Sequence, residues 1–125
     1  MTTLRALLVL VLLAGISSAD DKPAPEMAAA DVSKWLSFFD KLVNAVTTSN
    51  GTCEKMAADV NIVIDANKDA VAVARRAHAQ GKKLPMSAQE RMIAGVKKMV
   101  PGMQKCGQHD KVRAAFAKLD LTRKG

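Results

Sequence analysis

Aromatic residues are scarce in this chain of 125 residues, and this scarcity limits what it can bind. Tyrosine is absent, and three of the four aromatic residues, Trp35, Phe38 and Phe39, are clustered in one apolar stretch. Proteins that bind single-stranded nucleic acid stack its bases on aromatic side chains spread along a basic groove. Because this chain has no dispersed aromatic set and no reading motif, we expect no sequence-specific binding of nucleic acid.

Potential metal ligands and catalytic groups are also few. The only histidines are His78 and His109, and neither belongs to a Glu-x-x-His or a His-x-x-x-His pair. Di-iron bundles and zinc hydrolases need several such ligands at one point, so both classes are excluded. Asp65 and Asp69 share a predicted helix face, but Lys68 lies between them and offsets their repulsion. We therefore predict a protein with no catalytic residues and no cofactor, and not an enzyme.

The first nineteen residues have the features of a secretory signal peptide. Arg5 precedes an apolar run that ends at Ile16, and the small residues Ser17 and Ala19 stand three positions and one position before a cleavage site. The run is too short to cross a bilayer comfortably, and the polar stretch DDKPAPE follows it at once. We predict a signal peptide over residues 1–19, export to the periplasm or the medium, and no transmembrane span in the mature chain.

The mature chain has the size of one domain. Removal of Arg5 lowers the net charge from +7 to +6, and a basic exported domain favours anionic partners, such as an anionic component of the envelope. We predict a flexible linker over residues 20–27, where two prolines occur, and a frayed tail over residues 122–125. The helical domain is then expected over residues 28–121.

Four segments have apolar residues at the three-residue and four-residue steps that are typical of amphipathic helices. They cover approximately residues 26–48, 53–80, 87–106 and 110–119. Ser87 and Glu90 form a capping box at the start of the third segment, and Pro101 is expected to kink or interrupt it. Because the connections are short, neighbouring helices are expected to be antiparallel. The sequence therefore predicts an all-α, up-down-up-down four-helix bundle.

Asn67 is a polar residue within the apolar seam of the second predicted helix, between Ile64 and Val71. A lone buried amide in a helical assembly commonly fixes the register or bonds to a backbone or side-chain partner. We predict that Asn67 is buried with its amide partnered. This structural role is preferred over contact with a ligand, since no second polar residue shares the seam nearby.

The two cysteines occur in mirrored motifs, C-x-x-M from Cys53 to Met56 and M-x-x-C from Met103 to Cys106. In the predicted bundle, Cys53 opens the second helix and Cys106 closes the third, so both lie at the same end. An exported chain enters an oxidising compartment, where a lone pair of cysteines usually forms a disulfide. We therefore predict a disulfide between Cys53 and Cys106, with the two methionines packed around it.

The same motifs also permit a soft-metal site as the alternative. In a reduced protein, five side chains would offer ligands that select copper(I), namely Cys53, Met56, Met103, Cys106 and His109. A haem held by histidine and methionine is a second form of this alternative, because His78 and Met27 are predicted to lie near one end of the bundle. Covalent haem is not expected, since no C-x-x-C-H motif occurs.

Four short stretches resemble a group of small exported bacterial helical-bundle proteins. They are CEKMA from residue 53, IDANKD from residue 64, QGKKLP from residue 80 and MQKCG from residue 103. The resemblance covers the mature helical region and implies no particular activity. Together with the missing catalytic groups, it favours a small exported binding or structural module that acts through its surface.

Overall fold

The structure, a computed structural model, describes residues 24–49 and 52–120. These residues form five α-helices, which confirms the predicted all-α class. The helices are α1 (Ala29–Thr47), α2 (Cys53–Ala66), α3 (Lys68–Ala79), α4 (Met86–Cys106) and α5 (Asp110–Ala117). The predicted signal peptide and the predicted tail lie outside the described residues. Among the described helices, none combines the length and the apolar character needed to cross a membrane.

The second predicted helix is divided into α2 and α3 at Asn67, so the prediction of one continuous helix is wrong. Asn67 has φ −129° and ψ 39°, which are not helical values. Its side-chain amide donates to the carbonyl oxygen of Val63 at 2.7 Å, and its backbone N–H donates to Ile64. Asparagine side chains compete with the helix for backbone groups, which explains why the helix breaks here.

Helix α1 is the central element and packs against α4, α2 and α3, while α5 packs against α2. Helices α1 and α4 run in the same direction, because Trp35 contacts Met92 near their starts and Val46 faces Gly102 near their ends. Helix α2 runs in the opposite direction, since its first residue is bonded to the last residue of α4. Residues 24–49 and 52–120 thus contain five helices where the sequence predicts four.

The residues that α1 contributes to the core follow the spacing that the sequence shows. Trp35, Phe38, Phe39 and Leu42 are fully buried. They line one face of the helix, because residues three and four positions apart are neighbours on its surface. The ring centroids of Trp35 and Phe38 are 5.3 Å apart, an arrangement that adds aromatic contact to the area that they bury. This face explains why α1 has three helical neighbours.

The start of α4 differs from the predicted capping box. Helix α4 begins at Met86 after an extended Pro85, and no side chain caps its first turn. Ser87 is already within the helix and exposed. The preceding proline sets an extended backbone that ends the loop without a side-chain cap. Pro101 does not interrupt α4, which continues to Cys106.

The chain before α1 is anchored to the loop between α3 and α4. The backbone N–H of Lys83 donates to Pro25 O, and the N–H of Met27 donates to Lys83 O, both at 2.9 Å. The side chain of Met27 is buried. Gly81, with φ 65°, provides the left-handed turn that follows α3. This pairing forms one wall of the groove described below.

Candidate functional site

A groove of about 800 Å³ lies beside the N-terminal halves of α1 and α4. We call it the α1–α4 groove. Its apolar lining comes from Met27, Val32, Leu36 and Pro85. Its polar lining consists of Glu26, Ser33, Ser37, Asp40, Lys41 and Arg91. This lining combines apolar side chains with four charged and two hydroxyl-bearing ones, a mixture that suits an amphipathic ligand.

A smaller cavity of about 290 Å³ lies at the other end of the same helix pair. Lys98 and Lys105 of α4 line it together with Thr47, the last residue of α1, and Ser49, which follows that helix. The hydroxyl of Ser49 is buried and donates to Val46 O at 3.1 Å. The floor of the cavity therefore has its polar groups satisfied, and the two lysines are its charged components.

Arg91, Lys98 and Lys105 form a row along one side of α4, which we call the basic row. They are spaced seven residues apart, so neighbouring charges are about 10 Å apart along the helix axis. Residues at this spacing lie on one face of a helix, so the α1–α4 groove and the smaller cavity open on the same side. The row therefore connects the two cavities.

The charges of the basic row are only partly neutralised. Arg91 forms an ion pair with Asp40 of α1. Lys98 and Lys105 form no ion pair with any residue that the structure describes. Lys41 adds another cation to the wall of the groove. In the groove, Glu26 and Asp40 balance Lys41 and Arg91. The excess positive charge therefore lies at the end of the row that carries Lys98 and Lys105, and it can attract an anionic ligand there.

Cys53 and Cys106 form the predicted disulfide. Their Cα atoms are 5.2 Å apart, and the bond joins the first residue of α2 to the last residue of α4. Cys106 is fully buried and Cys53 is half-buried. The two residues lie at the same end of the molecule because α2 runs opposite to α4, as the sequence predicts.

The other residues of the predicted soft-metal set lie close to the disulfide along the chain. Met56 and Met103 are buried in the core, as expected for packing around the bond. Met56 and Cys106 line the same small cavity. His109 immediately precedes α5, and its Nδ1 atom is buried without a hydrogen-bond partner among the described residues. In the part of the chain described, no three His, Cys, Asp or Glu side chains are placed to hold a metal ion.

The remaining predicted residues lie elsewhere. Asn67 is half-buried, and its amide is partnered by Val63 of the preceding helix α2 rather than by a residue across the core. Met27 lines the α1–α4 groove, and His78 is half-buried in the last turn of α3. Neither Asn67 nor His78 lines the groove or the smaller cavity.

Sequence reasoning missed the groove and its basic row. The spacing of Arg91, Lys98 and Lys105 was present in the sequence, and on a predicted helix it indicates one charged face. The groove itself depends on how residues 25–27 pair with Lys83. Such a pairing between two irregular segments has no periodic pattern that the sequence shows.

Comparison of the chain with protein-family models, with curated proteins and with solved structures finds no match. The description of the site therefore rests on its geometry and charge.

Proposed function

We propose that this protein is an exported, non-enzymatic binding module that holds an anionic component of the cell envelope along the basic row. The observation that carries the proposal is the pair Lys98 and Lys105, two cations without an ion-pair partner among the described residues, in line with Arg91 and the α1–α4 groove. The disulfide supports this role because it fixes the end of α4 that carries Lys105.

The spacing of the charges indicates what kind of anion fits. The basic row extends over about 21 Å, so a single small anion reaches only one of its members at a time. A linear polyanion or a layer of anionic headgroups contacts all three together. Because the lysines are exposed, these contacts are screened by salt.

Binding of the full chain to anionic and to zwitterionic lipid vesicles tests the proposal, in parallel with a soluble anionic cell-wall polymer. The variant Lys98→Ala/Lys105→Ala should bind both anionic probes several-fold more weakly at low salt. The control is Lys55→Ala/Lys68→Ala, which removes the same charge from α2 and α3. It should bind much as the original protein does, since neither lysine lies on the basic row.

The salt dependence gives a second readout. Binding should fall steeply between low and physiological ionic strength, because exposed charges more than a Debye length of about 8 Å apart are screened. Binding that is insensitive to salt would contradict the proposal, and so would equal losses in the two double variants. A preference for vesicles over the soluble polymer identifies the lipid surface as the source of the anions.

Export is part of the proposal and has its own test. The mass of the protein recovered from an exporting host should correspond to a chain that begins at Asp20. An unprocessed chain in the cytoplasm would refute export but would leave the binding measurements valid.

Copper(I) binding in a reducing environment is a second candidate function, favoured by the buried Nδ1 of His109, which has no hydrogen-bond partner among the described residues and follows Cys106 by three positions. A dithiol reductant would convert the disulfide into two thiols and would itself be oxidised to a disulfide. The thiols, with Met56 and Met103, would then supply the soft ligands that copper(I) prefers. Copper bound only after reduction, and lost in His109→Ala, would support this function. A reduced protein that binds no copper would refute it.

A further inference from the structure

Three exposed apolar side chains form a stripe along α4. Met86, Ile93 and Val100 are 67%, 40% and 38% exposed, and they follow one another at seven-residue intervals. We call them the α4 stripe. Ile93 lies about 140° around the helix from Lys98, so the stripe and the basic row occupy different sides of α4. A row of this kind, unlike single scattered apolar residues, is typical of a helix face that packs against another helix.

Two exposed residues of opposite charge border the stripe. Glu90 precedes Ile93 by three positions and Lys97 follows it by four, so both are neighbours of Ile93 on the helix surface. Neither forms an ion pair with another described residue. They cannot pair with each other, because they are about 10 Å apart along the axis.

We propose that the α4 stripe is covered by α4 of a second copy of this chain, antiparallel to the first and related to it by a two-fold axis at Ile93. In this arrangement Ile93 meets its own counterpart, and Met86 of one copy lies opposite Val100 of the other. Glu90 of each copy then lies beside Lys97 of the other copy. The surface is thus complementary to itself, as a two-fold interface requires.

The charges select the antiparallel orientation. In a parallel pair with two-fold symmetry, the flank that carries Glu90 and Lys97 would lie on opposite sides of the seam in the two copies. Neither residue would then meet an opposite charge of the other copy, whereas the antiparallel pair forms two such contacts. The basic rows of both copies remain accessible in the antiparallel dimer, because they lie on other sides of α4.

The expected dimer is weak. The α4 stripe is about 21 Å long and one helix wide, which is far less than the roughly 800 Å² per partner of a standard stable interface. The net charge of the chain also opposes association. We therefore expect a monomer–dimer equilibrium that depends on concentration.

Sedimentation velocity of the full chain over a wide range of concentrations tests the proposal. Ile93→Glu should raise the dissociation constant of the dimer by about tenfold or more, because it places two carboxylates together at the axis. Ile62→Glu is the matched control, since Ile62 is an equally apolar residue that is 66% exposed on α2. It should leave the dissociation constant unchanged.

Charge reversal tests the orientation. Glu90→Lys and Lys97→Glu should each weaken the dimer several-fold, and the double variant Glu90→Lys/Lys97→Glu should restore it, because the pairs are then exchanged. A monomer at every concentration would overturn the proposal. Equal effects of Ile93→Glu and Ile62→Glu would also overturn it, and a double variant that is not restored would refute the antiparallel orientation.

Discussion

Trp35 is the largest buried side chain, and its indole N–H has an unusual acceptor. It donates to Sδ of Met92 at 3.2 Å, in a part of the core that water does not reach. A thioether is a weak acceptor, but a buried N–H without any partner is costly. Met92 therefore satisfies a polar group as well as filling space.

Met92→Leu should lower the free energy of unfolding by more than the difference in shape between the two side chains would cause. The indole N–H would lose its partner, at a cost of about 1–3 kcal/mol. The control is Met99→Leu, also fully buried on α4. A substitution that conserves volume costs less than about 1.5 kcal/mol. Denaturant unfolding of both variants measures the difference, and equal losses would show that the hydrogen bond contributes nothing.

For single residues, the sequence predicted which side of a helix faces the core, but not which residues of two helices contact each other. The spacing of apolar residues placed Trp35 on the inner side of the first helix and Met92 on the inner side of the third, and both are buried. The periodicity of apolar residues does not show how far two packed helices are shifted along their axes relative to each other. The hydrogen bond between Trp35 and Met92 depends on that shift, so it was not predicted.

The packing of α1 on α4 depends on the absence of a side chain at Gly95. A Cβ atom at this position would lie 2.5 Å from Cε2 of Phe39 and 3.0 Å from Cγ2 of Val43. Contacts of this length require that one helix or one ring moves. Phe39 is fully buried, so it has little room to move.

Gly95→Ala should therefore destabilise the protein by about 1–3 kcal/mol, as overpacking of a core does. The intrinsic preference of helices for alanine over glycine acts in the opposite direction by about 1 kcal/mol. Adding Phe39→Leu should reduce the loss caused by Gly95→Ala, because it removes the atom that the new methyl group meets. A Gly95→Ala variant that is more stable than the original protein would refute the close approach.

Asn67 defines the boundary between α2 and α3, and its amide supports that boundary. Asn67→Ala should remove the bond to Val63 O and lower the free energy of unfolding by about 0.5–1.5 kcal/mol. Asn61→Ala is the control. Asn61 is half-buried within α2, and its side chain forms no hydrogen bond with the described residues. If both variants have the same stability, the amide of Asn67 does not stabilise the break.

The helix break shows why element boundaries were harder to predict than element type. Asn67 occupies a position of the apolar seam, so the four-three spacing is the same for one long helix and for two shorter ones. The difference lies in the backbone conformation of one residue. The capping box at Ser87 failed for a similar reason, since Pro85 already sets the extended backbone before α4.

At the scale of the whole molecule, the basic row lies along one side of the α1–α4 pair, and the α4 stripe lies on another side of α4. The sequence showed the net charge but not this distribution, because a charge count does not specify direction. Once α4 is assigned as a helix, the sequence does give the angle between the basic row and the α4 stripe, because Lys98 and Ile93 are five residues apart. The groove was less predictable, because its wall is formed by the irregular segment that carries Met27.

The disulfide is the covalent link between distant parts of the chain, and it closes a loop with a sequence separation of 53 residues. In the chain-entropy model, a loop of this length contributes about 4 kcal/mol to stability. That is a large fraction of the roughly 5–15 kcal/mol that stabilises an ordinary domain. The contribution was predictable from the sequence, because the predicted direction of the helices and the predicted export to an oxidising compartment both favoured the bond.

Cys53→Ala/Cys106→Ala should lose about 4 kcal/mol of stability, and the original protein in a dithiol reductant should lose a similar amount. The double variant itself should be insensitive to reductant, which separates loss of the bond from other effects of reduction. Mass spectrometry of the isolated protein should show a two-hydrogen deficit that reductant abolishes. Two free thiols in the isolated protein would refute the bond.

The loss should be uneven over the structure. Without the bond, the last turn of α4 keeps Met103 and residue 106 as its buried side chains, whereas the region around Trp35 keeps several large aromatic side chains in its core. Segments with fewer buried contacts open first, so amide exchange should increase most in the last two turns of α4 and the first turn of α2. Lys105 lies in the last turn of α4. The variant Cys53→Ala/Cys106→Ala should therefore also bind anionic vesicles more weakly than Met99→Leu does. Exchange that rises equally at both ends of α4 would show that the disulfide acts on the unfolded chain alone and not on the position of the basic row.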